Sequence, residues 1–289
     1  MEIGINLEYV RHDDLSFQEG LRQAAEAGYR WVEPLTLDGR CLLSESGYCH
    51  VRSLHTDPLL MKRDLEATGL RASALSAHSP LMRPDVAIPY LTRAVRFAAA
   101  VGAPVVCTSE GKRPEWMTVD EGYATIRMTL RVALQEAERY GVWIAVEPHG
   151  EFTTTLAGME RILGSVDSPR LGVNYDTGNA YLAGHEDPYE MLEALADHRV
   201  VHVHAKDIRG ALLQQRGQVT GTPVGCACGE GVVDWGRVVS ILQAHGYRGV
   251  LSVECGTPEQ MRRSHRFLSH LLAEKGAAGP EEVRQVAGR

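Results

Sequence analysis

Val200-Val201-His202-Val203-His204-Ala205-Lys206-Asp207 alternates apolar side chains with imidazoles. As a β-strand it places His202 and His204 on one face, because successive side chains point to opposite sides. Buried imidazoles need partners for their polar nitrogens, so a strand carrying two of them is built to hold something. Three other apolar stretches end in a carboxylate: Val142–Glu147, Leu171–Asp176 and Val250–Glu254. One imidazole and three carboxylates brought together make a site for a hard-to-borderline divalent cation. The rest of the chain has to be the scaffold on which they converge.

Outward from that strand the sequence repeats one unit. Earlier strands are predicted at Ile3–Leu7, Trp31–Pro34, Ala72–Ala77 (delivering His78) and Pro104–Thr108, with Glu110 just beyond the last. Between them, Ser16 and Glu19 form a capping box for a helix stopped by Gly28, and Asp57-Pro58 opens one closed by Gly69. Pro89–Val101 ends at Gly102, and Thr118–Tyr140 carries Ile126, Leu130, Ala133, Leu134 and Ala137 at helical spacing before Gly141. Later helices are predicted near Leu156–Val166, Pro188–Ala196, Trp235–His245 and Pro258–Ala273. Only Arg40–His55 has no period. Eight strand–helix units with strands suited to burial on both faces predict a single closed (β/α)8 TIM barrel over residues 1–273, with a tail at 274–289. A doubly wound open sheet would call for a Gly-rich phosphate turn after an early strand, and none follows Leu7 or Glu33. In a barrel the strand ends share one rim, so convergence of the polar residues follows from the fold.

Composition narrows the function classes. Thirty Lys and Arg against 37 Asp and Glu leave a net charge of -7, which offers no electrostatic footprint for nucleic acid or an anionic membrane. No apolar run approaches the ~20 residues that span a bilayer. The start, Met-Glu-Ile-Gly-Ile-Asn, has neither the basic nor the apolar block of a secretory signal, and six scattered cysteines suit a reducing compartment, so a cytoplasmic protein is expected. Cys226-Ala-Cys228 lacks a second pair at zinc-finger spacing and reads as a flexible loop.

With these residues placed, the chain resembles the xylose-isomerase-like barrel superfamily, the sugar phosphate isomerase/epimerase group, over essentially the whole barrel. The resemblance is carried by Val-Glu-Pro-His-Gly at 146–150, Asp-Thr-Gly-Asn at 176–179, His-Val-His-Ala-Lys-Asp at 202–207, Gly-Glu-Gly at 229–231 and Val-Glu at 253–254. It implies a divalent metal, Mn2+ foremost, with Mg2+, Co2+ or Zn2+ as alternatives, held by Glu147, Asp176, His204 and Glu254. His204 is preferred to His202 because the family's ligand lies three residues before the acidic residue, here Asp207. Within the group, Leu7–Phe17, Ala77–Pro84 and Thr220–Trp235 are similar to the larger subunit of the C-glycoside deglycosidases. That likeness implies a small β-rich partner subunit. The Asp-x-His that the endonuclease branch places after its seventh strand is missing here.

The chemistry the family shares is proton abstraction beside a carbonyl, with the cation stabilising the enediolate. In its epimerases the glutamates matching Glu147 and Glu254 act as base and acid on opposite faces of the substrate. His149 is either a further base, the role the deglycosidase likeness favours, or a hydrogen-bonded support. His202 is expected to support its neighbours, and Lys206, off the histidine face in a regular strand, to form a salt bridge. His78, Glu110, Asn179 and Arg209 are the candidate substrate contacts, while Glu33 and Glu110 stand between sugar binding and structural pairing. Trp116 and Tyr9 stand between stacking on substrate and packing. Two catalytic outcomes stay open on a sugar or glycoside substrate: isomerisation or epimerisation of a ketose, and elimination that expels the aglycone of a 3-keto C-glycoside. A non-catalytic sugar-binding barrel is the third reading, and an oligomer is expected.

Overall fold

A computed structural model describes residues 1–13, 15–38, 50–197, 199–217 and 225–277. The strands that decide the architecture are β1 (Glu2–Asn6), β2 (Trp31–Glu33), β3 (Leu75–Pro80), β4 (Val105–Ser109), β5 (Trp143–Val146), β6 (Leu171–Asp176), β7 (Val200–Ala205) and β8 (Val250–Val253). All pair in parallel, β1 lying between β2 and β8, and the order then runs β8-β7-β6-β5-β4-β3. A two-residue strand at Arg71–Ala72 pairs in parallel with β2, and a parallel bridge between Leu35 and Ser76 brings the chain after β2 to β3, nearly closing the ring. The fold is the (β/α)8 barrel that the repeating unit predicts.

Each strand is followed by a helix: α1 (Phe17–Glu26), α2 (Pro58–Thr68), α3 (Pro84–Val101), α4 (Val119–Tyr140), α5 (Leu156–Leu163), α6 (Pro188–Ala196), α7 (Trp235–Ala244) and α8 (Pro258–Ala277). Their ends follow the chain's own signals. The Ser16 hydroxyl accepts from the Glu19 amide, Thr118 and Glu121 complete a reciprocal capping box, and Gly69, Gly102 and Gly141 close their helices with positive φ. Several boundaries differ from the sequence reading. The predicted strand Ala72–Ala77 is split, because Arg71–Ala72 pairs with β2 whereas Leu75–Pro80 pairs with β4. Helix α3 begins at Pro84, with Pro89 in its interior. A short helix, Thr177–Ala183, follows β6 directly, and α8 runs past the predicted barrel limit at Ala273 to Ala277. Most of Arg40–His55 and the tail beyond Ala277 lie outside the described residues.

The main core lies between ring and helices. Ile5, Val32, Val106, Ile144, Val173, Val203 and Leu251 from the strands meet Leu21, Leu91, Leu130, Met159, Leu192, Val239 and Leu268 from the helices. In a second small cluster, Ala74, just before β3, joins Val105, Cys107 and Ala145 at the alternate positions of β4 and β5. These side chains are small, and they leave room on the inner face for the longer polar residues nearer the strand ends.

Candidate metal centre

Register brings the predicted residues together. Asp176 lies opposite His204, and His204 opposite Ser252, so the ends of β6, β7 and β8 are level. Glu147 follows β5 directly and Glu254 follows β8. Nδ1 of His204 lies 3.0 Å from Glu254 Oε2, 3.2 Å from Glu147 Oε2 and 3.9 Å from Asp176 Oδ2. Glu147, Asp176 and His204 present ligand atoms within 4.8 Å of one another. The four residues named from the strand-end pattern and the family resemblance therefore form one cluster, all of it buried.

Two buried atoms in this cluster have no hydrogen-bond partner: Asp176 Oδ2 and His204 Nδ1. Burying polar atoms without partners is costly, so atoms left this way in the middle of a ligand set fit a cation bound between them. The other oxygens are fixed. Glu147 accepts from Asn174 Nδ2 at 3.0 Å and Asn179 Nδ2 at 2.9 Å, and Asp176 Oδ1 accepts from the Asn179 amide at 2.8 Å. Asn179, read as a substrate contact, thus has its side chain engaged in orienting Glu147.

Charge in the cluster is mostly negative. Glu147, Asp176 and Glu254 share one buried ammonium, Lys206, whose Nζ lies 2.6 Å from Glu254 Oε1 and 3.7 Å from Asp176 Oδ2. Burial pushes both carboxyls upward. Lys206, with His204, outweighs burial at Glu254 and holds it below the usual carboxylate range, whereas Asp176, farther from the ammonium, is pushed up to about 7. At Glu147, burial is outweighed by His204 and His78, and the carboxyl is lowered. At His204, burial is outweighed by Glu33 and Glu147, so the imidazole is raised well above its ordinary value. A divalent cation would neutralise the excess negative charge, which the donor set of one nitrogen and three carboxylates suits.

Residues 21–271 match the family described as Xylose isomerase-like TIM barrel. The chain belongs to the Xylose isomerase-like TIM barrel family. It is 32% identical over 176 residues to 3-oxo-isoapionate decarboxylase of Pectobacterium atrosepticum, a stretch covering 61% of this chain and 60% of that protein. It is 31% identical over 148 residues to inosose dehydratase of Halalkalibacterium halodurans, covering 48% of this chain and 46% of the relative. The chain thus spans about half to three fifths of the curated relatives' lengths. Its fold is similar to that of a D-tagatose 3-epimerase-like protein, with a TM-score of 0.76, 23% identity and coverage of 96% of this chain and 100% of the other.

Other candidate residues of this Xylose isomerase-like barrel fall around the cluster. His78 is partly exposed, its Nε2 3.7 Å from Glu147 Oε2. His149 sits beyond Glu147 with its imidazole lowered, chiefly by burial, against the opposing pull of Glu147. It lines a cleft of about 750 Å³ together with Glu110, Lys112, Arg113, Thr154 and His185. Glu110 reaches this cleft, but its carboxylate accepts from the Phe152 amide at 2.9 and 3.1 Å, and Gly150 leaves it room that a Cβ would fill. Arg209 is exposed and turned to Glu230 at 3.4 Å, not to the cluster. Tyr9 is fully buried and donates to the Gly20 carbonyl, so it packs, whereas Trp116 is 79% exposed. Lys206 forms the predicted salt bridge, but within the site itself: β7 ends at Ala205 and strict alternation ends with it.

Asn174 and Glu33 complete the constellation. Asn174 lies opposite His202 on β6, one alternation before Asp176, a signal open to the sequence once β6 is recognised. The partners of Glu33 lie across the ring, beyond the reach of local pattern. The segment Gly225–Asp234 also departs from the flexible-loop reading. Cys226, Ala227 and Cys228 are buried, and Asp207 accepts from the amides of Ile208, Gly229, Gly231 and Val233 and from Trp235 Nε1. Burial pushes the Cys226 thiol up to about 11 and Cys255 up to about 12, which disfavours the thiolates that would bind metal. Among the described residues no helix is long and apolar enough to cross a membrane.

Proposed function

We propose that this chain is a divalent-metal-dependent enzyme acting on a keto-sugar by removing a proton beside the carbonyl. The observation that carries the reading is the pair of buried atoms that make no hydrogen bond, Asp176 Oδ2 and His204 Nδ1, beside the carboxylates of Glu147 and Glu254. Glu147, Asp176, His204 and Glu254 are the ligands, and Mn2+ is the first candidate. A cation there supplies positive charge to a sugar carbonyl or hydroxyl oxygen and stabilises the negative charge that develops when the adjacent C–H is deprotonated. Glu147, fixed by Asn174 and Asn179, and Glu254, fixed by Lys206, are the proton-transferring carboxylates of an isomerase or epimerase. His149, kept neutral by burial, can take a proton at its unprotonated ring nitrogen, and His78 stands at the mouth of the cluster.

A second reading, a lyase, is favoured by a specific asymmetry. Glu254 has its Oε1 held by an ammonium at 2.6 Å, which weakens it as a base, while His149 offers an alternative base on the Glu147 side. Loss of the aglycone, whose departing carbon takes up the proton that His149 removed, then takes the place of reprotonation on the opposite face, as in cleavage of a 3-keto C-glycoside with a β-rich partner subunit. Relatives named as a decarboxylase and a dehydratase support a barrel of this family expelling a group rather than shifting a hydrogen. The discriminating experiment incubates Mn2+-loaded protein with D-psicose or D-tagatose and, separately, with a 3-keto C-glycoside plus the partner. Interconversion of the ketoses supports the isomerase, and released aglycone supports the lyase. Full activity after EDTA treatment on either substrate rejects the metal-dependent reading.

A further inference from the structure

Glu33 lies at the end of β2, on the opposite side of His204 from the proposed ion, and it has no solvent exposure. Its carboxylate meets three donors. Oε2 accepts from Nε2 of His202 at 2.9 Å and from the Ser252 hydroxyl at 2.8 Å, and both oxygens lie 3.0 Å from Nε2 of His204. With Cys107, these two histidines and Glu33 form a second group of metal-binding residue types, all buried. That group is not wired as an ion site. Among the described residues, the only buried side-chain nitrogen or oxygen of this group without a hydrogen bond is Nδ1 of His204, which faces the other way.

We infer that Glu33 is the positioning residue of the metal centre, which by holding Nε2–H of His204 presents the lone pair of Nδ1 to the cation. This rests on the ligand set proposed above. An ionised carboxylate only accepts, so both imidazoles must donate to it. A glutamine at the same place has one accepting oxygen and one donating NH2. Its NH2 beside His204 favours the tautomer with the proton on Nδ1, the nitrogen that must be bare to bind a cation. His202 and Ser252 in turn keep Glu33 from swinging away. Strands β2, β7 and β8 are thereby linked through the site itself.

The test is metal affinity, read without turnover. Demetallated wild type, Glu33→Gln, Ser252→Ala and Asp176→Asn are titrated with Mn2+ against a chelator of known affinity, with circular dichroism to verify folding. One ion per wild-type chain is expected, bound about 10–100-fold more weakly by Glu33→Gln and more mildly weakened in Ser252→Ala, which keeps Glu33 but frees one restraint. Co2+-loaded wild type should show a solvent-exchangeable, paramagnetically shifted imidazole N–H that exchanges slowly, and Glu33→Gln should lose it or exchange it fast. Unchanged affinity and an unchanged N–H signal in both folded variants would overturn the inference while leaving the metal reading intact. Two ions per chain, one of them lost in Cys107→Ser, would also overturn it. No binding by wild type, or binding unaffected in Asp176→Asn, defeats the metal reading itself and the inference with it.

Discussion

A lysine with no exposed surface has to be matched by negative charge, and Lys206 finds it in Glu254 and Asp176. Its charge partly offsets the carboxylate cluster before any cation is present. Lys206→Met removes that offset and leaves Glu254 without its 2.6 Å donor. The metal-free variant is expected to lose about 3–5 kcal/mol of unfolding free energy in urea, as when one partner of a buried pair is removed. Mn2+ should restore part of it, and equal stability of variant and wild type in EDTA would refute this account of the charge balance. His149 is a separate matter, since it is proposed to move a proton and not to bind the ion. His149→Asn should lower kcat by about 10²–10⁴-fold with Mn2+ affinity unchanged, and a parallel loss of affinity would make it a ligand. Glu147, Asp176 and Glu254 were readable because each ends an apolar run and the two histidines because they alternate with apolar residues, patterns local to one strand, while the choice of His204 over His202 came from the family resemblance. Lys206 and Glu33 were only half readable. A salt bridge can be predicted for any lysine near acids, but its partners here come from strands 30 and 48 residues away in sequence, and Glu33 meets a histidine 171 positions on.

Between residues and barrel, two connections are held by single carboxylates. Asp207 gathers four backbone amides and the Trp235 indole, which fixes the turn from β7 toward α7, and Gly231 passes so close to it that a side chain there would collide. Asp207→Asn puts an NH2 donor among those donors and is expected to cost about 3 kcal/mol in urea denaturation. A loss under about 0.5 kcal/mol would show that the turn does not depend on it. The sequence suggested looseness here because Gly, Cys and Ala carry no pattern. The order comes from an aspartate at the end of the preceding strand, visible only once the loop folds back on it. Glu110 does similar work after β4 by accepting from the Phe152 amide, but burial raises its carboxyl. With the folded pKa above the unfolded value of about 4.3, the folded state binds the proton more tightly. This stabilising contribution is full below the unfolded pKa and is lost as pH rises through the folded one. Wild type should therefore lose unfolding free energy more steeply than Glu110→Gln over that interval, and coincident pH profiles would count against it. The helix cap at Ser16 was legible because capping is local, whereas the split of the third strand was not, because it reflects a change of pairing partner.

At the scale of the whole barrel, the repeat of strand and helix announced the ring, while its closure rests on one bridge between Leu35 and Ser76. The proposed ligands all come from the run β5 to β8, so a bound ion ties four consecutive strands at one rim. Glu33 adds a tie from β2 to β7, and Ser252 reaches the same carboxylate from β8. A ligand that binds the folded chain and not the unfolded one stabilises it by RT ln(1 + [L]/Kd), about 2.7 kcal/mol at a hundred times Kd. Metal-free protein should accordingly unfold at a lower temperature than protein with saturating Mn2+, with the shift growing as the logarithm of the free ion concentration. Asp176→Asn removes an oxygen that makes no hydrogen bond and one negative charge from the centre, so its metal-free form should be at least as stable as metal-free wild type, since burial and the neighbouring carboxylates outweigh the pull of Lys206 on Asp176. Its response to Mn2+ should be largely gone. The two halves of this expectation separate a specific site from general charge neutralisation on an acidic protein. If Asp176→Asn gained as much from Mn2+ as wild type does, the ion would be acting elsewhere on the surface, and the convergence of the four strand ends would have to be explained without a metal.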